Sequence, residues 1–312
     1  MSKVKRIVLT SPVMWPAVGS IVLFVMICMI SGGVRLNVLS AAAKLCVFTM
    51  LLGIAQMIVV TSGRGAIDIS QKYILTLTAY ISCELMQYNI LLGIIVAVIV
   101  GMICGLINSC VNQFLNIHAM ITTMATGYLY YTIILLISNK VSNSPNSSFV
   151  KFTNASFLGF NTMTIIVVAV AAALFFVLYK TKYGMNLHAS GQKRDAARLA
   201  GIDVKKTVII AFVINGGLCG LAGVLNAAYC GGANQDLGTT YFLPSIAACF
   251  VGGTNAGGGR SNIIAVCLGA FMMTLMSTFL NAAKISIGGQ RLIQGVFIVL
   301  LLVAATRTPK NK

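Results

Sequence analysis

The sequence predicts an all-α polytopic membrane protein, with about ten transmembrane helices forming one domain over residues 1–312. Three observations lead there. Of the 312 residues 58% are hydrophobic and only 9% are charged, where soluble globular chains carry about 25% charged residues. Mean hydropathy is +0.93. Apolar runs close to the roughly 20 residues that a helix needs to cross hydrocarbon follow one another with short polar breaks, which leaves no soluble domain over.

The first run, 13–31, follows the basic segment Ser2–Arg6. It is too long for a secretory signal core and has no small-residue cleavage site before the next run, so it reads as a retained helix. Further runs lie at 40–61, 73–87, 90–112, 119–138, 162–179, 207–229, 241–252, 262–282 and 290–305. Gly63, Gly65 and Asp68 break the chain between the second and third runs, and Gly252, Gly253, Gly257, Gly258 and Gly259 break it between the eighth and ninth. If runs two to five and seven to ten are halves, they are pseudo-symmetric and inverted, a pattern of transporters with discontinuous helices. The loop 139–161 is rich in Asn and Ser and contains Pro145, which predicts a solvated outer loop long enough to meet a partner. Its Asn146-Ser147-Ser148 triplet is read as ordinary loop.

Charge sets the orientation. Lys and Arg number 22 against five Asp and Glu, a formal net charge of +17. With the N-terminus in the cytoplasm, that side collects Lys3, Lys5, Arg6, Arg64, Lys72, Lys180, Lys182, Lys193, Arg194, Arg198, Lys205, Lys206, Arg260, Arg307, Lys310 and Lys312. The outer side keeps Arg35, Lys44, Lys140, Lys151, Lys284 and Arg291. This positive-inside bias puts both termini in the cytoplasm. A nucleic-acid partner would need a contiguous basic face with reading side chains, and the sequence displays none.

Chemistry-bearing residues are sparse. The nine cysteines fall in or beside apolar runs without a CxxC, which predicts small buried hydrophobes and neither metal ligands nor disulfides. His118 and His188 stand apart from any ligand set. There is no nucleophile elbow and no HExxH, and residues 257–261, GGGRS, lack the Lys of a phosphate-binding loop, so catalysis and ATP hydrolysis are not expected of this chain. Asp68 and Glu84 are the only carboxylates near membrane depth before residue 180. Asp68 reads as a helix cap, a partner of Arg64 or Lys72, or a solute contact, and Glu84 as interfacial. Trp15, Tyr128, Tyr130 and Tyr131 read as interface anchors.

The longest polar interruption, Lys180–Lys206, predicts a short basic helix outside the bilayer. Ser190 caps it, Arg198 suits its dipole, and Gly201 ends it. Ala196, Ala197, Ala200 and Gly201 would give it a strip of small residues on which another surface docks.

GQKRDAARLAGI at 191–202, with Gly191, Ala196, Ala197 and Gly201, resembles the cytoplasmic loop of ribose-type sugar permeases, subunits of bacterial ATP-binding cassette importers. GAIDIS, with Asp68 and Ser70, resembles the family's GGIDLS; ITTMATGYLYY at 121–131 resembles its fifth-span motif; GGTNAGGGR at 252–260 resembles its glycine-rich segment. The resemblance covers nearly the whole chain in order and spacing. It implies a type II-like importer permease of the bacterial inner membrane: one subunit of a dimeric pore, paired with a second copy or a paralogue. An extracytoplasmic substrate-binding protein would feed it, and ATP-binding subunits on the cytoplasmic face would drive it. ATP and Mg would belong to that partner, and no cofactor is implied in this chain. Carried over, Gly191, Arg194, Ala196, Ala197, Arg198 and Gly201 would couple to the ATPase. Asp68, Ser70, Thr123, Thr126, Gly252 and Gly253 would belong to the substrate pathway. Gln71, Lys72 and Tyr73 depart from the family's VGS, as does the absence of an Arg after Tyr131. The alternative from the residues alone is an ion-coupled transporter with broken helices, which would require a mid-membrane acid or ion site; an intramembrane enzyme ranks behind both.

Overall fold

The computed structural model describes residues 12–31, 33, 36–157 and 160–306. Among them are thirteen helices and one two-residue strand pair. The helices are α1 Met14–Ile30, α2 Leu36–Thr61, α3 Gln71–Leu85, α4 Ile90–Phe114, α5 Ala119–Ile137, α6 Ser147–Asn154 and α7 Thr162–Lys180. They continue as α8 Lys182–Gln192, α9 Arg194–Leu199, α10 Val204–Cys230, α11 Thr239–Val251, α12 Ile263–Ala282 and α13 Ile287–Thr306. β1 Ser156–Phe157 and β2 Phe160–Asn161 pair antiparallel, just before α7.

Short polar side chains start several helices. Asn89 accepts from Leu91 N and Leu92 N at the start of α4, Asn161 from Met163 N before α7, and Asn262 from Ile264 N and Ala265 N before α12. Each satisfies backbone donors that the first helical turn leaves free. Gly231 ends α10 at φ 73, and its N–H reaches Ala227 O, a left-handed turn that costs glycine little.

Each of the ten apolar runs coincides with a helix. Six helical segments, Val38–Thr61, Ile90–Phe114, Ala119–Ile137, Thr162–Lys180, Val204–Cys230 and Ile263–Ala282, are long and apolar enough to cross a membrane. The chain is thus a multi-pass membrane protein. Two of the remaining runs form shorter helices. With 15 residues, α3 extends about 22 Å, and α11, with 13, about 20 Å. Each follows a non-helical passage, 62–70 or 231–238, and the two N-terminal ends meet where Gly238 N donates to Thr76 Oγ1 at 3.1 Å.

At the centre, α10 packs on α2, α3 and α4, while α2 packs on α11 and α12. The lesser neighbours come in matching pairs: α3 with α4 and α11 with α12, then α3 with α5 and α11 with α13. Gly101 and Gly105 of α4 face Gly216 and Phe212 of α10 so closely that a Cβ at any of the three glycines would overlap the opposing backbone. Such small-residue crossings let membrane helices approach where burial from water offers little drive. On the outside of α4, Ile95, Ile99, Met102, Ile103 and Leu106 are exposed apolar side chains, as a lipid-facing surface requires.

Two expectations need correction. The loop 139–161 contains α6, whose Phe149 and Thr153 are buried, because Asn146 accepts from Ser148 N at 2.9 Å and caps it. Residues 180–206 hold two helices, and Ser190 caps neither. It is buried inside α8, and Lys193, extended at φ −156, separates α8 from α9.

Candidate functional site

The polar passage 62–70 lies at the middle of the structure because its own backbone cannot continue α2. Gly63, Arg64 and Gly65 take φ values of 93, 61 and 61, the left-handed region that glycine enters at no steric cost. Asp68 closes the turn: Oδ1 accepts from Ser70 N at 2.8 Å and from Ser70 Oγ at 2.6 Å, and Oδ2 accepts from Asn215 Nδ2 at 2.5 Å. Three donors on one side chain suit an ionised carboxylate, which only accepts. Neither Arg64 nor Lys72 pairs with it; among the described residues the ion pair is Arg198–Asp195, at 3.8 Å.

From Asp68 the network spreads into four helices. Asn108 Nδ2 of α4 donates to Ser70 Oγ at 2.8 Å, and the Tyr130 hydroxyl of α5 lies 2.9 Å from both Asn108 Oδ1 and Cys104 O. Gln71 Nε2 donates to Asn215 Oδ1 at 2.5 Å, and Ile69 N donates to Thr123 Oγ1 at 3.0 Å. Asp68, Ser70, Gln71, Asn108, Thr123 and Asn215 are all 0% exposed, so the network is sealed from solvent. Thr126 is buried too, its hydroxyl donating to Thr122 O. Gly252 ends α11 against Val266, and Gly253 turns at φ 74 beside Pro12. Five of the six expected pathway residues are therefore buried, and Gly253 alone is exposed. Gln71, a departure from the family's pattern, serves as a second holder of Asn215.

The residues expected to couple divide between two surfaces. Gly191 is buried, and a Cβ on it would overlap Thr61 O and Gly259 N. A Cβ on Gly63 would strike Gly191 at 2.9 Å, and one on Gly258 would overlap Gly63. Gly259 N donates to Thr61 O at 3.0 Å. Backbone thus meets backbone from three segments: the end of α2, the end of α8, and the turn before α12. His188 Nδ1, 3.3 Å from Gly259 O, adds a side-chain contact to the junction. From it projects α9. Ala197 points inward to Val204, Val208 and Phe212. Ala196, Arg198, Ala200 and Gly201 are exposed, and so is Leu199, at 91%. Ile202 N reaches back to Ala197 O, and Gly201 turns at φ 81 with open space around its Cα. Arg194 is half-buried, with Nη2 3.5 Å from Ser62 O.

Sequence reasoning missed a third constellation. The Lys72 ammonium lies 4.7 Å from the Tyr73 ring centroid and 5.3 Å from that of Phe242. Tyr73 packs at 6.1 Å on Tyr128 and at 5.4 Å on Tyr131. Lys72 is the second residue of α3, 13 residues or about 20 Å from Leu85, and Phe242 lies about 14 Å from Val251 at the other end of α11. The cluster thus lies at the N-terminal ends of the two short helices α3 and α11. Part of the signal lay in the sequence: Lys72 and Tyr73 stand where the family pattern has small residues.

The sequence profile described as "Branched-chain amino acid transport system / permease component" matches residues 17–306. The D-allose transport system permease protein of Escherichia coli K12 is 28% identical over 255 residues, 80% of this chain and 78% of that one. The ribose import permease protein of the same organism is 28% identical over 257 residues, 79% of this chain and 78% of that one. The galactose/methyl galactoside import permease protein of Haemophilus influenzae is 31% identical over 188 residues, 58% and 56% of the two chains. No solved structure matches.

Proposed function

We propose, from the premise that this chain belongs to the branched-chain amino acid transport system permease component family, that it is the permease subunit of an ATP-binding cassette importer for a monosaccharide. It is a transport subunit and not an enzyme; ATP hydrolysis belongs to a separate subunit. The sugar assignment follows the substrates for which its relatives are named, D-allose, ribose and galactose.

One observation carries the coupling role: α9 presents Leu199 to solvent on a mount whose backbone contacts the turns after α2 and before α12. A large apolar side chain exposed to 91% at the tip of a basic segment fits an apolar slot on a partner, rimmed by acidic groups. The partner is the ATP-binding subunit, on the cytoplasmic face. The charge bias of the sequence supports that orientation, with both termini inside, and supports an inner-membrane location.

Ten spans in two inverted halves, α2–α5 and α10–α13, are supported by the reciprocal neighbour pairs: α10 on α3 and α4 answers α2 on α11 and α12. A second permease copy or paralogue would complete the pore, and an extracytoplasmic binding protein would deliver solute. The pathway follows Lys72, Tyr73, Tyr128 and Tyr131. A lysine on a membrane helix is costly against lipid and is tolerated beside a water-filled cavity. Tyrosine faces offer platforms for sugar rings.

The test is co-purification with a candidate ATP-binding subunit from the same organism. Leu199→Asp should cut recovery of the complex at least about tenfold, the scale of losing an anchoring side chain, while leaving the thermal midpoint of the isolated chain unchanged. Equal recovery of wild type and variant would remove α9 from the interface. Solute uptake without ATP, driven by an ion gradient, would overturn the importer reading itself.

A further inference from the structure

Beside the glycine junction lies a cavity of about 140 Å³, lined by Ser62, Gly63, Arg64, Asn116, His118 and Arg194 together with apolar side chains behind them. Two arginines from segments 130 residues apart in sequence line this space, close enough for the Arg64 charge to act on Arg194. Arg194 Nε is buried there without a hydrogen-bond partner. His118 Nε2 is engaged by Arg64 O at 2.9 Å, which pins the α4–α5 turn to the left-handed Arg64 backbone.

Among the described residues no acidic side chain supplies the missing counter-charge. The chain has five Asp and Glu side chains, and each lies elsewhere. Asp68 is closed into its network with Ser70 and Asn215. Glu84 accepts from Ser142 N near the opposite end of the structure. Asp195 faces Arg198, Asp203 caps α10 by accepting from Lys206 N, and Asp236 lies in the passage after α10. An arginine held near others without an acid is electrostatically uncomfortable. Burial, followed by the charges of Arg64 and Arg198, lowers the Arg194 guanidinium to about 10.

We propose that this cavity is an oxyanion site of the phosphate class, in which Arg64 and Arg194 clamp one anion between the passage after α2 and the start of α9. Arginine suits the task because its planar fork presents paired donors to tetrahedral and planar oxyanions. The cavity has room for a phosphate-sized anion. Occupancy would tie Arg194, at the root of the exposed Leu199 tip, to the turn that carries Asp68. The site goes beyond the importer reading, though that reading supplies a source: inorganic phosphate is released by ATP hydrolysis at the docked subunit.

The experiment uses the purified full chain in detergent, with inorganic phosphate as probe and chloride at equal ionic strength as control. Thermal unfolding, followed with a thiol-reactive dye, and direct titration calorimetry are both read. A saturable rise in the midpoint with phosphate is expected. Arg64→Gln and Arg194→Gln should each weaken phosphate affinity at least about tenfold, the scale of one charge-assisted contact. Lys151→Gln, on α6 and outside the cavity lining, should bind as wild type does. Should a glutamine variant fail to fold, Arg64→Lys and Arg194→Lys keep the charge and should retain part of the binding. An equal rise in chloride, or equal affinity in wild type and both glutamine variants, means an adventitious ion only and overturns the proposal. Capture of the ATP-binding subunit in chloride buffer is scored separately: capture without phosphate binding overturns the site alone, and phosphate binding without capture overturns the importer reading alone.

Discussion

Asn215→Ala tests whether the Asp68 network is what holds the passage 62–70 in place. The side chain makes two bonds, donating to Asp68 Oδ2 and accepting from Gln71 Nε2, and it is wholly buried. Losing the bond to a charged acceptor costs about 1.5–3 kcal/mol and losing the neutral one about 0.5–1.5 kcal/mol, so the variant should be destabilised by roughly 2–4.5 kcal/mol. At about 2 °C per kcal/mol for a chain of this size, the midpoint should fall by about 4–9 °C. A thiol-reactive dye reads this directly, since Cys219, one helical turn from Asn215, and Cys104 beside Tyr130 are both buried and free. Combining Asn215→Ala with Asp68→Asn in a double-mutant cycle should give a coupling of about 1 kcal/mol or more, because neutralising Asp68 removes much of the cost of leaving it unpaired. A midpoint within 1 °C of wild type, or strict additivity in the cycle, would refute the network as the holder of the passage.

Gly191→Ala forces a methyl into Thr61 O and Gly259 N, so backbone must move. The expected cost is about 1–3 kcal/mol, with sugar uptake lost more severely than the protein level measured by blotting; normal uptake would show that the junction tolerates displacement. Lys72→Met should raise the KM for ATP-driven sugar uptake roughly tenfold, the scale of a lost charge-assisted contact, with ATPase activity of the assembled complex unchanged. A variant with wild-type uptake kinetics would take Lys72 off the pathway.

Composition and the spacing of apolar runs sufficed for the helices, because in hydrocarbon a run of that length satisfies its backbone only as helix. Where a helix stops short depended on details the pattern does not carry. The passage before α11 falls at Gly231–Gly238, and the glycine crowd at 252–259 forms the turn after it; composition alone draws the eye to the second. The polar loop 139–161 hid α6, since a single Asn cap decides whether such a sequence coils or winds. At the candidate site, the importance of 62–70 and 180–206 was visible in their polarity. Their internal division was not: Ala196, Ala197 and Gly191 are alike in size, yet only tertiary packing decides that Ala196 faces out, Ala197 faces in, and Gly191 is pressed between backbones. Asn215 and Asn108 carried no local signal, being single amides in long apolar helices whose partners lie far away in sequence.

The meeting of Gly63, Gly191, Gly258 and Gly259 has a mechanical consequence. Side chains are springs: they change rotamer and absorb displacement before passing it on. Where peptide planes touch directly, that compliance is gone, and the transmission between the parts has almost no slack. A thrust of an ångström delivered to α9 would arrive nearly undiminished at the turns after α2 and before α12 together, so the timing of the two is set by stiffness and needs no relay of contacts.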